Sequence, residues 1–218
     1  MIVHSANQIA EVILERHAPW TDAMTLEKLL YYVQAWHLAI TDQPIFPEPI
    51  KAWKDGPVVP VVWHARKDRS TRVARSRNTS GIDLNPTQSS LIDLVLQAYG
   101  SMSAEELSAL THTERPWLEA RGDTPDGEPS SAALSVETMA KFYREHRTLD
   151  GRTAADLAAG GVVPVRAASG AERLDVSSLL ASLGDEYNNV RDEWGGANLN
   201  NDLGADSPWG RGNAAPSF

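Results

Sequence analysis

Hydrophobic residues recur at helical spacing from the start of the chain. Ile9, Val12 and Ile13 fall on one face of a first predicted helix. Ser5 and Gln8 stand three residues apart, which is the spacing of a capping box. The pattern therefore predicts an amphipathic helix that begins near Ser5.

The segment "LEKLLYYVQAWHLAI", residues 26–40, is apolar on nearly every side of a helical projection. A helix of this kind is buried in the centre of a domain. Thr25 precedes it and is predicted to be its N-cap. His37 lies on the main apolar stripe, so we interpret it as a hydrogen-bonded core histidine.

Capping signals mark further helices. Asn85 and Pro86 open one that Gly100 ends, and Ser103 with Glu106 forms a capping box for the next. "SVETMAKFYREH", residues 135–146, is amphipathic, whereas a turn is predicted at Pro116.

The segments "IKAW" and "GPVV" are short and apolar and suit a hairpin, with Pro60 in the first turn of a following helix. The predicted fold is mainly α: a compact multi-helix domain with a short β-hairpin or extended arm around residues 50–59.

The composition changes near residue 147, after which Gly, Ala, Ser and Asn dominate. We predict a domain over residues 1–147 and an acidic, largely flexible tail over residues 148–218. Within the tail, residues 176–194 carry one apolar stripe, so a helix is predicted there that folds on a partner or docks back on its own domain. The stripe consists of Val176, Leu179, Leu180, Leu183, Tyr187, Val190 and Trp194.

Composition narrows the possible functions. The 218-residue chain has no cysteine, which excludes disulfides and thiolate metal sites, and its formal net charge is -9. An acidic chain does not bind nucleic acid through its overall field. We find no signal peptide and no apolar run long enough to cross a bilayer, so we expect a cytoplasmic protein without a membrane partner.

Residues 66–77 are rich in basic side chains, although the chain as a whole is acidic. This stretch is either a solvated loop or a contact for phosphate or for an acidic partner. The arginines that would contact nucleic acid are Arg69, Arg72, Arg75 and Arg77.

The histidines raise the question of catalysis. His64 follows the predicted hairpin, and His112 lies two residues before Glu114. The sequence has no H-E-x-x-H pair, no Gly-rich phosphate loop and no nucleophile elbow. We therefore predict no metal, no cofactor and no enzyme activity, and keep a small enzyme using His64 and His112 as an alternative.

Gly56 and Pro57 form a rigid corner between Trp53 and Trp63. Glycine permits backbone angles that other residues resist, and proline fixes φ. The tryptophans supply large apolar bodies that pack around such a corner. We expect its polar edge to contribute to partner binding through Lys54, Asp55 and His64.

Three motifs, "KLLYYVQAWHLA", "AWKDGPVVPVV" and "LTHTERPWLEAR", occur in this order within residues 28–121. Together with their surroundings, about residues 5–146, they resemble the Panacea domain. This phage-associated domain is the antitoxin half of many two-gene toxin–antitoxin pairs. Glu27 stands where the family usually has Gln.

The resemblance implies a mostly helical domain that neutralises a cognate toxin by binding it, without catalysis. Some family members instead deliver the toxin to a protease, so a protease adaptor remains an alternative. A nucleic-acid-binding regulator that uses the arginines of residues 66–77 is a further alternative. We expect the tail to supply the apolar contacts through Leu179, Leu183, Tyr187, Val190 and Trp194.

Overall fold

The fold is mainly helical, as predicted. The computed structural model describes residues 4–17, 21–66 and 82–162. Within these ranges none of the helices is both long and apolar enough to span a bilayer. The described elements are α1 (Ala6–Arg16), α2 (Ala23–Thr41), β1 (Lys51–Trp53), β2 (Gly56–Val58), α3 (Pro60–Arg66), α4 (Pro86–Tyr99), α5 (Ala104–His112), α6 (Arg115–Arg121), α7 (Val136–His146) and α8 (Ala154–Gly160).

Helix α2 is the central element, and its predicted burial is confirmed. Helices α1, α3, α4, α5, α7 and α8 all contact it, and Trp36 on it is fully buried. The prediction that Thr25 caps α2 is wrong, because the helix begins three residues earlier, after Asp22. The Asp22 carboxylate accepts hydrogen bonds from the Thr25 backbone N–H at 2.8 Å and from the Thr25 hydroxyl at 2.6 Å.

The other predicted helix starts at Ser5, Asn85 and Ser103 are confirmed, each with a complete capping box. Pro60 opens α3, as expected. The turn predicted at Pro116 is instead the start of α6. Proline fits there because the first turn of a helix has no intrahelical use for its backbone N–H groups.

The predicted hairpin is confirmed. Strands β1 and β2 are antiparallel, with Trp53 opposite Gly56. The other side of β1 pairs with a third extended segment, because Ala52 N–H donates to Ala132 O and Leu134 N–H donates to Ile50 O, both at 2.9 Å. Lys51 and Ala133 form the bridge between the two segments.

The folded part of the chain continues past residue 147, the domain end that we predicted from the change in composition. Leu149, Ala154 and Leu157 are buried, and α8 contacts both α2 and α7. The short alanine-rich sequence of α8 gives a weak apolar pattern, so its packing is not evident from composition. Residues 163–218 lie outside the described residues, and the flexible tail with its helix over 176–194 remains a prediction for them.

Candidate functional site

The corner between β1 and β2 depends on a glycine. Gly56 has a φ of +104°, a region that L-residues with a side chain rarely adopt. A Cβ atom at this position would lie 2.6 Å from Lys28 Cε and 2.9 Å from Thr111 Oγ1. Both the backbone angle and the close approach of α2 and α5 therefore require glycine here.

The side chain of Lys28 packs against the buried side of the corner, next to Gly56 and Pro57. Its side chain is fully buried, and its Nζ donates to Pro57 O at 3.3 Å. Burial lowers the pKa of Lys28 to about 8, although the neighbouring carboxylates of Glu27, Asp55 and Asp22 oppose this shift. A buried ammonium is thus part of the packing that fixes the corner.

Glu27 holds the end of the corner. Its Oε2 accepts a hydrogen bond from Val59 N–H at 2.7 Å, and the side chain is only 1% exposed. Burial raises the pKa of Glu27 to about 8, against the opposing effects of the Val59 N–H, Lys28 and Arg66. A glutamine in this place offers the same acceptor to Val59 but replaces the titratable carboxyl group with an amide that stays neutral.

Helices α5 and α6 hold the corner from another side. The Ser108 hydroxyl donates to Asp55 O at 3.0 Å. Trp117 donates its indole N–H to Trp53 O at 3.0 Å. The carbonyls of Trp53, just before the turn, and of Asp55, within it, are therefore fixed by side chains of neighbouring helices, which makes the corner a rigid feature of the surface.

The outer side of the corner combines aromatic and polar groups. Trp53 and Trp63 are both half-buried and meet edge to face, with ring centroids 6.0 Å apart. Val61 is 43% exposed, and His64 is exposed on α3. We call this the corner surface; it consists of Trp53, Lys54, Asp55, Val61, Trp63 and His64.

His112 packs rather than titrates near neutral pH. Its ring stacks on Trp117 at 4.1 Å, and its Nε2 is buried with no hydrogen-bond partner among the described residues. Burial, followed by the positive charges of Lys28 and Arg121, lowers the pKa of His112 to about 3. The ring is therefore neutral at physiological pH.

Glu114 lies in the core, where it joins α2 to α7. Its Oε2 accepts hydrogen bonds from the hydroxyls of Tyr31, at 2.6 Å, and Tyr143, at 2.8 Å. Arg147 Nε lies 3.8 Å from Glu114 Oε1. The carboxylate is thus the centre of a buried network whose contacts are structural.

Residues 26–118 match the family described as antitoxin SocA-like, Panacea domain. These residues are therefore similar to a SocA-like Panacea domain. The match runs from the beginning of the buried part of α2 through the corner to α6, so it contains Lys28, Gly56 and Trp117. No curated protein and no solved structure was found to match the chain.

The match to an antitoxin-like family supports an antitoxin-type role and suggests a non-enzymatic one. Among the residues of the proposed enzyme, His64 is exposed, His112 is stacked on Trp117 and Glu114 is bonded to two tyrosines. In residues 4–17, 21–66 and 82–162, no three His, Asp or Glu side chains form a group that could hold a metal ion.

The remaining predicted site residues lie outside the described ranges. These are the arginines Arg69, Arg72, Arg75 and Arg77 and the tail residues Leu179, Leu183, Tyr187, Val190 and Trp194. Sequence reasoning missed the buried pair Glu27 and Lys28 as the support of the corner. The available signal was two adjacent charges inside an otherwise apolar helix.

Proposed function

We propose that this protein neutralises a cognate toxin by direct protein–protein binding, as one half of a two-gene toxin–antitoxin pair. The observation that carries the proposal is the match of residues 26–118 to an antitoxin-like family, the Panacea domain. The toxin is the partner in this proposal.

The rigidity of the corner surface supports this proposal. Binding costs less free energy when the contact residues are already ordered, and Trp is enriched among the residues that contribute most to protein interfaces. The Trp53–Trp63 pair is half-buried on a corner that Lys28, Glu27 and Trp117 hold in place. It is suited to serve as a preformed contact.

The tail supplies the second contact in this proposal. Its apolar stripe includes Leu183, Tyr187 and Trp194, interspersed with acidic residues such as Asp185 and Glu193. Tyr and Trp act as anchors at interfaces, and acids near them favour a basic partner surface. A toxin that handles RNA or nucleotides has such a surface.

Substitutions in the full-length chain test the two contacts separately. Val61→Asp places a charge on the corner surface, and Ala155→Asp places the same charge on an exposed position of α8. We expect the first to weaken toxin binding by about 1–2 kcal/mol, roughly tenfold, and the second to leave it unchanged. Equal affinities of the two variants would remove the corner surface from the mechanism.

The tail is tested in the same way. Trp194→Ala removes a residue of the apolar stripe, whereas Asn189→Ala changes a residue on the opposite side of the predicted helix. We expect growth rescue by the first variant to fail at toxin levels at which the second still protects. Full protection by Trp194→Ala would show that the tail anchor is not needed.

A further inference from the structure

The third extended segment, next to β1, has an open edge. Ala132 O and Leu134 N–H both bond to β1, so the N–H and C=O of Ala133 between them point away from β1. Neither group makes a hydrogen bond within the described part of the chain. Ser131 and Ala133 are exposed, so this edge is accessible to another strand.

A groove of about 350 Å³ borders the edge. Its apolar side comes from Pro116 and Ala120 of α6, and its polar side from Glu119, Ser135 and Thr138, with Ala133 between. The Thr138 hydroxyl donates to Glu119 Oε2 at 3.0 Å, which fixes the position of the carboxylate.

The surroundings of the groove are acidic and include one exposed apolar residue. Residues 115–138 contain five acids and two bases. Of the two bases, Arg115 lies 3.7 Å from Glu119 Oε1, a long exposed contact that offsets little charge. Val136 at the start of α7 is 43% exposed, which is unusual for a large apolar residue in the described part of this protein.

We propose that this edge binds an extended segment of the partner by strand addition, and that the segment carries a basic side chain that pairs with Glu119. The proposal rests on the proposed function, because it takes the toxin as the source of the segment. In strand addition, backbone hydrogen bonds supply affinity and alternate side chains supply specificity.

Two features of the groove determine which segment fits. The bound strand donates to and accepts from the free backbone groups of Ala133. Side chains on one face of that strand enter the groove, where small or apolar groups contact Pro116 and Ala120 and a Lys or Arg reaches Glu119. The occupant is therefore a basic edge strand or extended loop, not a helix.

Two proline substitutions in the full-length chain test whether backbone hydrogen bonds at Ala133 hold the added strand. Ala133→Pro removes the outward N–H without removing a bond to β1, because proline is tolerated on the free side of an edge strand. Ala132→Pro introduces the same ring one position earlier, where the N–H bonds to Ser130 Oγ. With the adjacent-gene product as probe, we expect the first variant to bind at least tenfold more weakly than the second.

A charge substitution tests the side-chain part independently of any folding defect. Glu119→Gln keeps an acceptor for Thr138 and removes the charge in the groove, while Asp123→Asn removes an exposed charge outside it. We expect a loss of affinity only for Glu119→Gln, and this loss should shrink at high salt. Equal affinities of the two variants would overturn the pairing.

Amide hydrogen exchange of the unmodified protein distinguishes the possible outcomes. We expect fast exchange at Ala133 in the free protein and slowed exchange in the complex. Slow exchange already in the free protein means that the chain covers its own edge, and unchanged fast exchange in the complex means that no strand is added; either result overturns the proposal. A toxin that is neutralised without protection of Ala133 leaves the antitoxin function intact, whereas an adjacent product that is neither toxic nor bound removes that function itself.

Discussion

Replacing Gly56 with alanine tests whether the corner is as rigid as its contacts indicate. The φ of +104° costs an L-residue about 1–3 kcal/mol in backbone strain. The new methyl group would also lie 2.6 Å from Lys28 Cε and 2.7 Å from Lys28 Nζ, so one of the two must move. The long lysine side chain is flexible in principle, but here it is fully buried and its Nζ bonds to Pro57 O.

Displacing Lys28 adds a second cost. A buried donor that loses its acceptor costs about 1–3 kcal/mol, and more when it is charged. Gly127→Ala is the matched control, because Gly127 also has a positive φ, +79°, yet nothing lies within 4 Å of a Cβ built there. We therefore expect Gly56→Ala to be less stable than Gly127→Ala by about 1–3 kcal/mol.

Urea or thermal unfolding of the two full-length variants measures this difference. For a chain of this length, each kcal/mol lowers Tm by about 2–4 °C. Equal losses of stability in both variants would refute the reasoning, because they would leave only the backbone strain and would show that Lys28 moves aside freely.

Three further predictions concern the buried polar groups. Tyr31→Phe removes a hydroxyl that donates to the Glu114 carboxylate, so we expect it to destabilise the protein by about 1.5–3 kcal/mol. Tyr32→Phe removes a buried hydroxyl with no partner among the described residues, so we expect it to be neutral or stabilising. Urea unfolding of the two variants measures the difference in stability. The pKa of Glu27 in the folded protein, about 8, lies above its ordinary value of 4.5, so the stability that this group contributes is complete below pH 4.5 and is lost as the pH rises towards 8. Relative to Glu27→Gln, the unmodified protein should lose at least about 1 kcal/mol over that interval, and parallel stability curves would contradict the burial argument. His112→Phe keeps the stacking on Trp117 and removes an unpartnered buried nitrogen, so both stability and toxin affinity should be retained; a selective loss of a chemical activity with the fold intact would instead favour the enzyme alternative.

Much of the fold follows from local patterns in the sequence. The helix starts at Ser5, Asn85 and Ser103 can be predicted from the sequence, because a capping box is a contact between residues three positions apart. The burial of α2 follows from an apolar surface too wide for a surface helix. The prediction that Thr25 caps α2 was wrong because Asp22, three residues earlier, is also a good N-cap residue. Its carboxylate accepts a hydrogen bond from the Thr25 backbone N–H.

The candidate sites were less predictable because they depend on contacts distant in sequence. Lys28 lies under Gly56, and Glu114 joins Tyr31 to Tyr143. No local spacing rule links residues separated by 28 to 112 positions, so helical periodicity places these side chains on a buried face without naming their partners. The open edge at Ala133 could not be predicted either, because no local pattern in the sequence indicates that its segment pairs with β1.

Expression of the adjacent open reading frame with and without this protein tests the central claim most directly. The account predicts that the neighbouring product stops growth by itself, that co-expression of the full-length chain restores growth, and that the two proteins purify together as one complex. A neighbouring product that is harmless alone, or a toxin that is neutralised without forming a complex, would contradict the claim that this protein acts by binding.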